Sequence, residues 1–264
     1  MNAPELLRHP LKARLLQVSA VQDLAPRHRR ITLQGDLAGF TSLAPDDHVK
    51  VLFPPAGHAQ PALPTFGPQG PSFAPGQARP EARDYTPRGF DVSAGTLALE
   101  FVIHGHGPAS RWAAAAKPGH WLGVAGPRGS RVVPDVHDAY LLVGDETALP
   151  AIGRWLEWLP RQRPVVVVAE VAGDADEIEL PSRARCQVHW LHRGATRAGE
   201  GNLLTQAVTA LAMPSGSVYA WIAAESSQMR ALRKHLLSEG GFDADHLHAA
   251  GYWKRGKADH DDEH

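Results

Sequence analysis

The sequence is poor in cysteine and in charge of a single sign. Cys186 is the one cysteine among 264 residues, which excludes an internal disulfide and an iron–sulfur cluster held by four thiolates. The 27 Lys and Arg residues balance 28 Asp and Glu residues. A broad nucleic-acid surface needs clustered cations to neutralise phosphates, so we expect no nucleic-acid partner.

Long apolar runs are also lacking. No segment of the sequence is apolar for long enough to cross a bilayer, and the N-terminus has no apolar core of a secretory signal. We therefore expect a soluble cytoplasmic protein with no membrane partner. We expect a monomer.

Histidine, by contrast, is abundant, with 15 residues. His104 and His106 stand two apart, as do His246 and His248, a spacing that puts both members of a pair on one face of a strand. No set of Cys or carboxylate residues at a familiar zinc spacing accompanies them. We predict solvated or core-edge histidines and no resident metal.

The first half of the chain reads as short strands joined by turns with one brief helix, a pattern that predicts an antiparallel barrel. The strands are predicted at 14–18, 30–33, 48–53, 96–103 and 121–126, the last one ending this half, and the helix at 110–116. Residues 54–82 are dense in Pro and Gly. They predict a long loop, which we expect to fold over a bound ligand.

The second half alternates strand and helix. Continuous apolar runs predict buried parallel strands at 140–143 and 165–170. Further strands are predicted at 187–191 and 218–223, and helices at 203–211 and 228–239. Ser226 or Ser227 is predicted to cap the start of the last helix and Gly240 its end. We predict a barrel domain over 10–134, a doubly wound α/β domain over 135–257 and a disordered polar tail over 258–264.

The stretch 83–91 carries side chains suited to a flat, anionic ligand. The residue before a proline is held extended, which places Thr86 beside Pro87 on a strand-like segment. Tyr85 can lie against an aromatic ring, Thr86 can donate to a ring heteroatom, and Arg83 and Arg88 can hold phosphate bidentately. The alternative is an exposed strand end with ordinary surface arginines.

A second candidate site begins the predicted short helix. Small residues at Gly107, Ala109 and Ser110 allow a phosphate to approach the backbone N–H groups of a helix N-terminus. The alternative is a strand-to-helix turn that needs small residues only for packing.

Three loops follow strands of the α/β half, at 144–147, 170–172 and 224–226, and ligands of such sheets bind beyond the carboxyl ends of the strands. In the first loop, Asp145 and Glu146 stand where a glycine-rich phosphate cradle is usual. Their charge works against a pyrophosphate at that spot. The alternative is a structural role for two acidic residues at a helix start.

Five segments in order, 83–91, 104–112, 126–130, 143–151 and 251–256, resemble the siderophore-interacting protein family of flavin-dependent ferric-siderophore reductases. The resemblance covers nearly the whole sequence apart from the first few residues and the tail. It implies the ferredoxin-reductase-like fold, in which a barrel that binds FAD precedes an α/β domain that binds NAD(P)H.

The resemblance also implies roles for particular residues. FAD would lie against Tyr85 and Thr86, with Arg83 and Arg88 near its polar edge or phosphates, and the nicotinamide would lie near Thr147. Tyr252 or Trp253 would cover the isoalloxazine. The cofactor-binding residues expected in full are Arg83, Tyr85, Thr86, Arg88, His104, Gly107, Pro108, Ala109, Ser110, Thr147, Glu225 and Trp253.

Cations outside this set have two expected roles. Arg193 and Arg197 are candidates for a nucleotide 2′-phosphate, although each alone reads equally as a solvated loop charge. Lys254, Arg255 and Lys257 would form a positive rim for an anionic iron chelate.

The implied activity is reduction of Fe(III) in a siderophore by NAD(P)H through FAD, without a catalytic acid, base or nucleophile. Two alternatives stay open: a flavin reductase or diaphorase of the same fold that acts on quinones or free flavin, and a ferric-siderophore carrier without catalysis. Three electron donors stay open as well: NADPH, NADH and a ferredoxin.

Overall fold

A computed structural model describes residues 4–257, which divide into two compact units, Pro4–Val133 and the part that begins at Pro134. The predicted tail at 258–264 lies outside the described residues. The predicted domain boundary follows residue 134, one residue beyond this division. Each unit has its own hydrophobic core.

The first unit is built on an antiparallel sheet of seven strands. Its strands in chain order are β1 Glu5–Arg8, β2 Ala13–Ala25, β3 His28–Gln34, β4 Val49–Phe53, β5 Thr65–Gly67, β6 Gly70–Ser72, β7 Glu81–Tyr85, β8 Pro87–Asp91, β9 Thr96–Val102, β10 Trp121–Ala125 and β11 Gly129–Val132. The seven-stranded sheet has the order β7-β4-β10-β2-β3-β9-β8, while β1 pairs with β11 and β5 with β6.

Period-two alternation places one face of this sheet in the core. Leu97, Leu99 and Phe101 on β9 are fully buried, as are Ile31 and Leu33 on β3. Helix α1, Gly107–Ala115, packs its small side chains onto the same core. Burial of these apolar side chains supplies the main stabilisation of the unit.

Thr86 closes the sheet into a barrel. Strands β7 and β8 form its two opposite edges, yet Thr86 alone separates them along the chain. A sheet whose edges are joined by one residue has to curl until those edges meet. The predicted ligand-binding stretch therefore lies at the seam of the barrel, and its extended conformation is confirmed.

Three details of this unit differ from the sequence-based expectation. The predicted loop 54–82 contains the short hairpin of β5 and β6 and the first residues of β7. Strand β10 is not the last, because β11 follows and pairs with β1, which the four residues 5–8 are too short to signal. Helix α1 begins three residues earlier than the predicted 110, at Gly107, where Pro108 favours the first turn.

The second unit is a parallel sheet with helices on both faces. Its strands are β12 Ala139–Asp145, β13 Pro164–Val171, β14 Arg185–His192, β15 Val218–Glu225 and β16 Leu247–Trp253, in the order β14-β13-β12-β15-β16. Its helices are α2 Leu149–Trp158, α3 Leu203–Ala210 and α4 Ser226–Ser238.

The alternating side chains of β12 show why helices cover both faces of the sheet. Leu141 and Val143 share a core with α3 and α4, whereas Tyr140 contacts Trp155 of α2, ring centroid to ring centroid 6.0 Å. The chain leaves β12 in one direction for β13 and β14, then returns to β15 on the other side of β12. This reversal confirms the doubly wound topology.

The start of α4 corrects one prediction. Neither Ser226 nor Ser227 is the cap, because both lie inside the helix; the N-cap is Glu225, whose carboxylate accepts from the backbone N–H groups of Ser227 and Gln228. At the other end the helix stops at Ser238, and Glu239 rather than Gly240 is the C-cap.

Candidate functional site

Tyr85 and Thr86 occupy the barrel seam. The Tyr85 ring packs on Phe101 with ring centroids 4.4 Å apart and is partly buried, and Thr86 is buried. Burial raises the pKa of the Tyr85 phenol against the opposing effect of the Arg83 guanidinium. Tyr85 is therefore a neutral ring fixed at one face, which suits contact with a flat ligand.

The two arginines of the stretch have nearby carboxylates within the unit. Arg83 Nη2 lies 3.7 Å from Glu81 Oε2, and Arg88 Nε lies 3.7 Å from Glu100 Oε1. Glu100 is buried and is held more closely by Arg30, at 2.6 Å. Arg83 Nη1 also donates to the Ala82 backbone carbonyl at 2.5 Å, so both guanidinium groups are held within the unit beside the seam.

The N-terminus of α1 fits a phosphate group. No side chain of the described residues caps it at His106, and a Cβ added at Gly107 would meet no described atom within 4 Å. The Ser110 hydroxyl turns back to accept from the backbone N–H groups of His104 and Gly105, at 2.8 and 3.1 Å. Ser110 thereby holds the preceding turn, and no side chain of the described residues caps the first turn of α1.

In the second unit, Asp145 brings together three residues predicted at the cofactor. Its Oδ1 accepts from the backbone N–H and the hydroxyl of Thr147, at 2.9 and 2.5 Å. Its Oδ2 accepts from the Glu225 backbone N–H at 3.0 Å and from the Trp253 indole N–H at 2.8 Å. The carboxyl ends of β12, β15 and β16 are thus joined through one buried carboxylate.

A second buried carboxyl, Glu170 at the end of β13, lacks the four hydrogen-bond donors that surround Asp145. It is 1% exposed, and the Gln228 side chain interacts with its carboxyl and opposes the rise in its pKa. Burial, and next the charge of Asp145, raise the pKa of Glu170 to about 7. Burial and then Glu146 also raise the pKa of Asp145, but its four partners are all donors, which favours the ionised form. Hydrogen bonds therefore oppose the rise in pKa more strongly at Asp145 than at Glu170.

The arginines proposed for a 2′-phosphate have unlike environments. Arg193 is 8% exposed and makes a bidentate pair with Glu146, both N–O distances being 2.6 Å. Its guanidinium is therefore engaged inside the unit. Arg197 is exposed, so the 2′-phosphate prediction now rests mainly on Arg197.

The C-terminal cations follow β16. Lys254 is partly buried, whereas Arg255 and Lys257 are exposed. The Arg255 Nη1 lies 3.0 Å from Glu200 Oε1, and its backbone N–H donates to Glu225 Oε1 at 3.2 Å. Glu225 thus fixes the chain just past Trp253 as well as the start of α4.

Glu170 and Gln228 were not among the predicted site residues. A carboxyl at the end of a continuous apolar strand was the available signal for Glu170. Gln228 gave none, because a glutamine in the first turn of a helix is ordinary. His104, Gly107, Pro108, Ala109 and Ser110 do come together at one turn, as their positions in the sequence require.

Two family models match consecutive parts of the chain: "Siderophore-interacting FAD-binding domain" on residues 17–131 and "Siderophore-interacting protein" on residues 137–256. A relative named NADPH-dependent ferric-chelate reductase, from Escherichia coli strain K12, is 35% identical over 255 residues that span 95% of this chain and 96% of that protein.

The chain belongs to the siderophore-interacting protein family.

Further relatives of this siderophore-interacting protein support the same family assignment. The ferric vibriobactin reductase ViuB of Vibrio cholerae is 34% identical over 89% of this chain and 88% of that one. The crystal structure of a siderophore utilization protein from T. fusca superposes with a TM-score of 0.90 at 38% identity, covering 98% of each chain. The predicted order of an FAD-binding barrel followed by a parallel α/β domain is confirmed.

Proposed function

We propose that this protein is an NADPH-dependent, FAD-containing reductase of ferric siderophores that releases iron as Fe(II). The observation that carries the proposal is the match of residues 17–131 to the family's FAD-binding domain, since this range includes both the seam and the start of α1. Full-length relatives named as reductases of a ferric chelate and of ferric vibriobactin support the substrate class.

Within the first unit, Tyr85 would place its ring against the flavin, and Thr86 would donate to the polar edge of the flavin ring. Arg83 and Arg88 would place their guanidinium groups near the phosphates or the polar edge of the flavin. The uncapped first turn of α1 would hold the pyrophosphate. FAD, when bound, supplies the ability to accept a hydride and pass on single electrons.

Within the second unit, Asp145 would hold Thr147 and Trp253 in fixed positions for the nicotinamide nucleotide. Lys254, Arg255 and Lys257 would attract an anionic chelate by their charge. Oxygen donors of a siderophore bind Fe(III), a harder cation, more strongly than Fe(II), so reduction weakens the chelate.

The test is an anaerobic absorbance trace of the purified, FAD-reconstituted protein. NADPH or NADH is added first, then a ferric siderophore with a ferrous trap. Bleaching by one nucleotide, followed by recovery of flavin absorbance and trapped Fe(II), is the expected result and names the donor. Recovery with quinone or free flavin but not with the ferric chelate would identify a diaphorase, and bleaching by neither nucleotide would contradict the reductase.

We also propose that the protein acts as a monomer in the cytoplasm. A lone cysteine fits a reducing compartment. No helix within residues 4–257 is both long and apolar enough to cross a membrane. Light scattering after gel filtration, and cell fractionation with an antibody, test the two statements separately.

A further inference from the structure

Helix α1 receives little stabilisation from its own sequence. It has nine residues, a length at which an isolated helix is marginal in water. Its last turn, 112–115, carries no cation, and its first turn receives no side-chain cap within residues 4–257. The contacts that hold this helix in place therefore come from other elements of the first unit.

Aromatic packing holds the middle of α1. The ring centroid of Trp112 lies 5.9 Å from that of Phe53 and 5.9 Å from that of Phe101. Phe101 in turn contacts Tyr85, the ring proposed to lie against the flavin. Because apolar packing is non-directional, it holds the helix on the sheet without defining the direction in which the helix N–H groups point.

Arg29 on β3 supplies a directional contact at the C-terminal end of α1. Its Nη1 donates to the backbone carbonyls of Ala113 and Ala114, at 3.0 and 2.9 Å. Its Nε donates to Asp23 Oδ1 at 2.6 Å, so the guanidinium is held from two sides. The last carbonyls of a helix lack partners within the helix, and a cation beside them also stabilises it through the helix dipole. Arg29 provides the charge that the last turn of α1 lacks.

The residues on either side of Arg29 hold a second part of the proposed flavin site. His28 Nε2 lies 3.0 Å from Glu100 Oε2, and Arg30 donates to Glu100 Oε1 from Nε at 2.9 Å and from Nη2 at 2.6 Å. Glu100 Oε1 also lies 3.7 Å from the Nε of Arg88 on β8. Three consecutive residues at the start of β3 are thus attached to both α1 and β8.

We propose that Arg29 is a positioning residue for FAD, which fixes α1 so that the first-turn N–H groups stay directed at the pyrophosphate. The inference rests on the proposed function in taking FAD as the cofactor and the start of α1 as the pyrophosphate site. Tyr85 and Thr86 belong to another element, so the flavin ring does not depend on Arg29. Arg29 thereby contributes to a preference for FAD over a flavin that has no pyrophosphate.

Fluorescence titrations of the full-length, flavin-free protein with FAD and, separately, with riboflavin test the assignment without turnover. Arg29→Met keeps the aliphatic stem; it weakens FAD binding about tenfold through two lost hydrogen bonds, and riboflavin binding by less than about twofold. Arg29→Lys keeps the cation and recovers most of the FAD affinity. Asp23→Asn, at a side chain that is 64% exposed, removes only the support of Arg29 and weakens FAD binding about two- to threefold.

Amide hydrogen exchange of the flavin-free protein reports on α1 directly. Arg29→Met speeds the exchange of residues 111–116 about tenfold, because the end of the helix loses its partner, and leaves the exchange of β9 unchanged. Equal exchange of α1 in wild type and Arg29→Met contradicts the assignment.

Lys12→Met is the matched control, because Lys12 also pairs with an aspartate of the first unit, Asp36 at 2.8 Å, in an exposed ion pair that does not involve α1. It changes the affinity for neither flavin. Equal affinity of wild type and Arg29→Met for FAD overturns the proposal. An equal loss of FAD and riboflavin binding also overturns it, since Arg29 would then only support the barrel.

The milder variants keep the proposal testable if Arg29→Met does not fold. In that case a ratio of FAD to riboflavin affinity in Asp23→Asn that equals the wild-type ratio overturns it. FAD binding that none of the variants alters overturns the role of Arg29 and leaves the reductase standing. A wild-type protein that binds no FAD overturns the proposed function together with this inference.

Discussion

The indole N–H of Trp253 donates to the carboxylate of Asp145 at 2.8 Å, across 108 positions of sequence. The bond ties the last strand of the parallel sheet to the first. Asp145 also accepts from Thr147 and Glu225, so one side chain sets the positions of three residues at the edge where such sheets bind ligands.

Asp145→Asn should destabilise the second unit and loosen Trp253. The amide has one acceptor oxygen, whereas the carboxylate has two oxygens, which accept from four donors. We expect a loss of about 1–3 kcal/mol in the free energy of unfolding, with a change in tryptophan fluorescence of the folded protein. Thr147→Val, which removes a single donor, should cost no more than about 1.5 kcal/mol. Equal stability of Asp145→Asn and wild type in urea unfolding would contradict the role given to Asp145.

Glu170 should make the protein less stable as the pH rises towards neutrality. Its pKa is raised in the folded protein from 4.5 to about 7, so the unfolded chain loses this proton first as the pH passes 4.5. The free energy of unfolding should then fall until about pH 7, by roughly 2–4 kcal/mol for one buried carboxyl.

Glu170→Gln should remove that dependence on pH. The stability that it gains over wild type should be larger at pH 8 than at pH 5. Glu179→Gln, at an exposed loop position, is the control and should follow the wild-type profile. Parallel profiles of wild type and Glu170→Gln in denaturant titrations from pH 5 to pH 8 would show that Glu170 is ionised throughout.

Tyr85→Ala should weaken FAD binding about tenfold, because it removes the ring at the barrel seam. Tyr85→Phe should bind FAD nearly as well as wild type, since the ring rather than the hydroxyl makes the contact. Quenching of flavin fluorescence on titration measures both. A double variant, Tyr85→Ala with Arg83→Ala, that retains wild-type affinity for FAD would rule out the seam as the flavin site.

Arg193 and Arg197 should respond differently to substitution. Arg193→Gln leaves the part-buried Glu146 carboxylate without its bidentate partner and should cost about 3–5 kcal/mol in stability. Arg197→Gln should leave stability unchanged and reduce the preference for NADPH over NADH, measured as the ratio of kcat/KM values. A thermal unfolding curve that Arg193→Gln does not shift, or an unchanged nucleotide ratio for Arg197→Gln, would contradict the respective assignment.

Much of the fold followed from local sequence because periodicity is a local property. Continuous apolar runs become the inner strands β12, β13 and β15, and alternation becomes the barrel strands β3 and β9. Strands β1 and β11 were harder to predict, because they form by pairing with each other across a long stretch of sequence. Nothing in residues 5–8 signals that pairing. The α4 cap was assigned to a serine by residue preference, whereas the longer Glu225 side chain reaches the same N–H groups.

The sequence by itself excluded an internal disulfide, through its single cysteine, and showed a balanced charge. The order of its motifs determined the family and the order of the two domains. Those properties depend on residue type and spacing, which a sequence displays directly. Only the tertiary structure decided that Thr86 closes the barrel, that Asp145 joins Thr147 to Trp253, that Arg193 faces Glu146, and that Glu170 and Gln228 are buried next to each other. Each of these depends on strand order or on burial, and both arise from contacts between residues far apart in the chain.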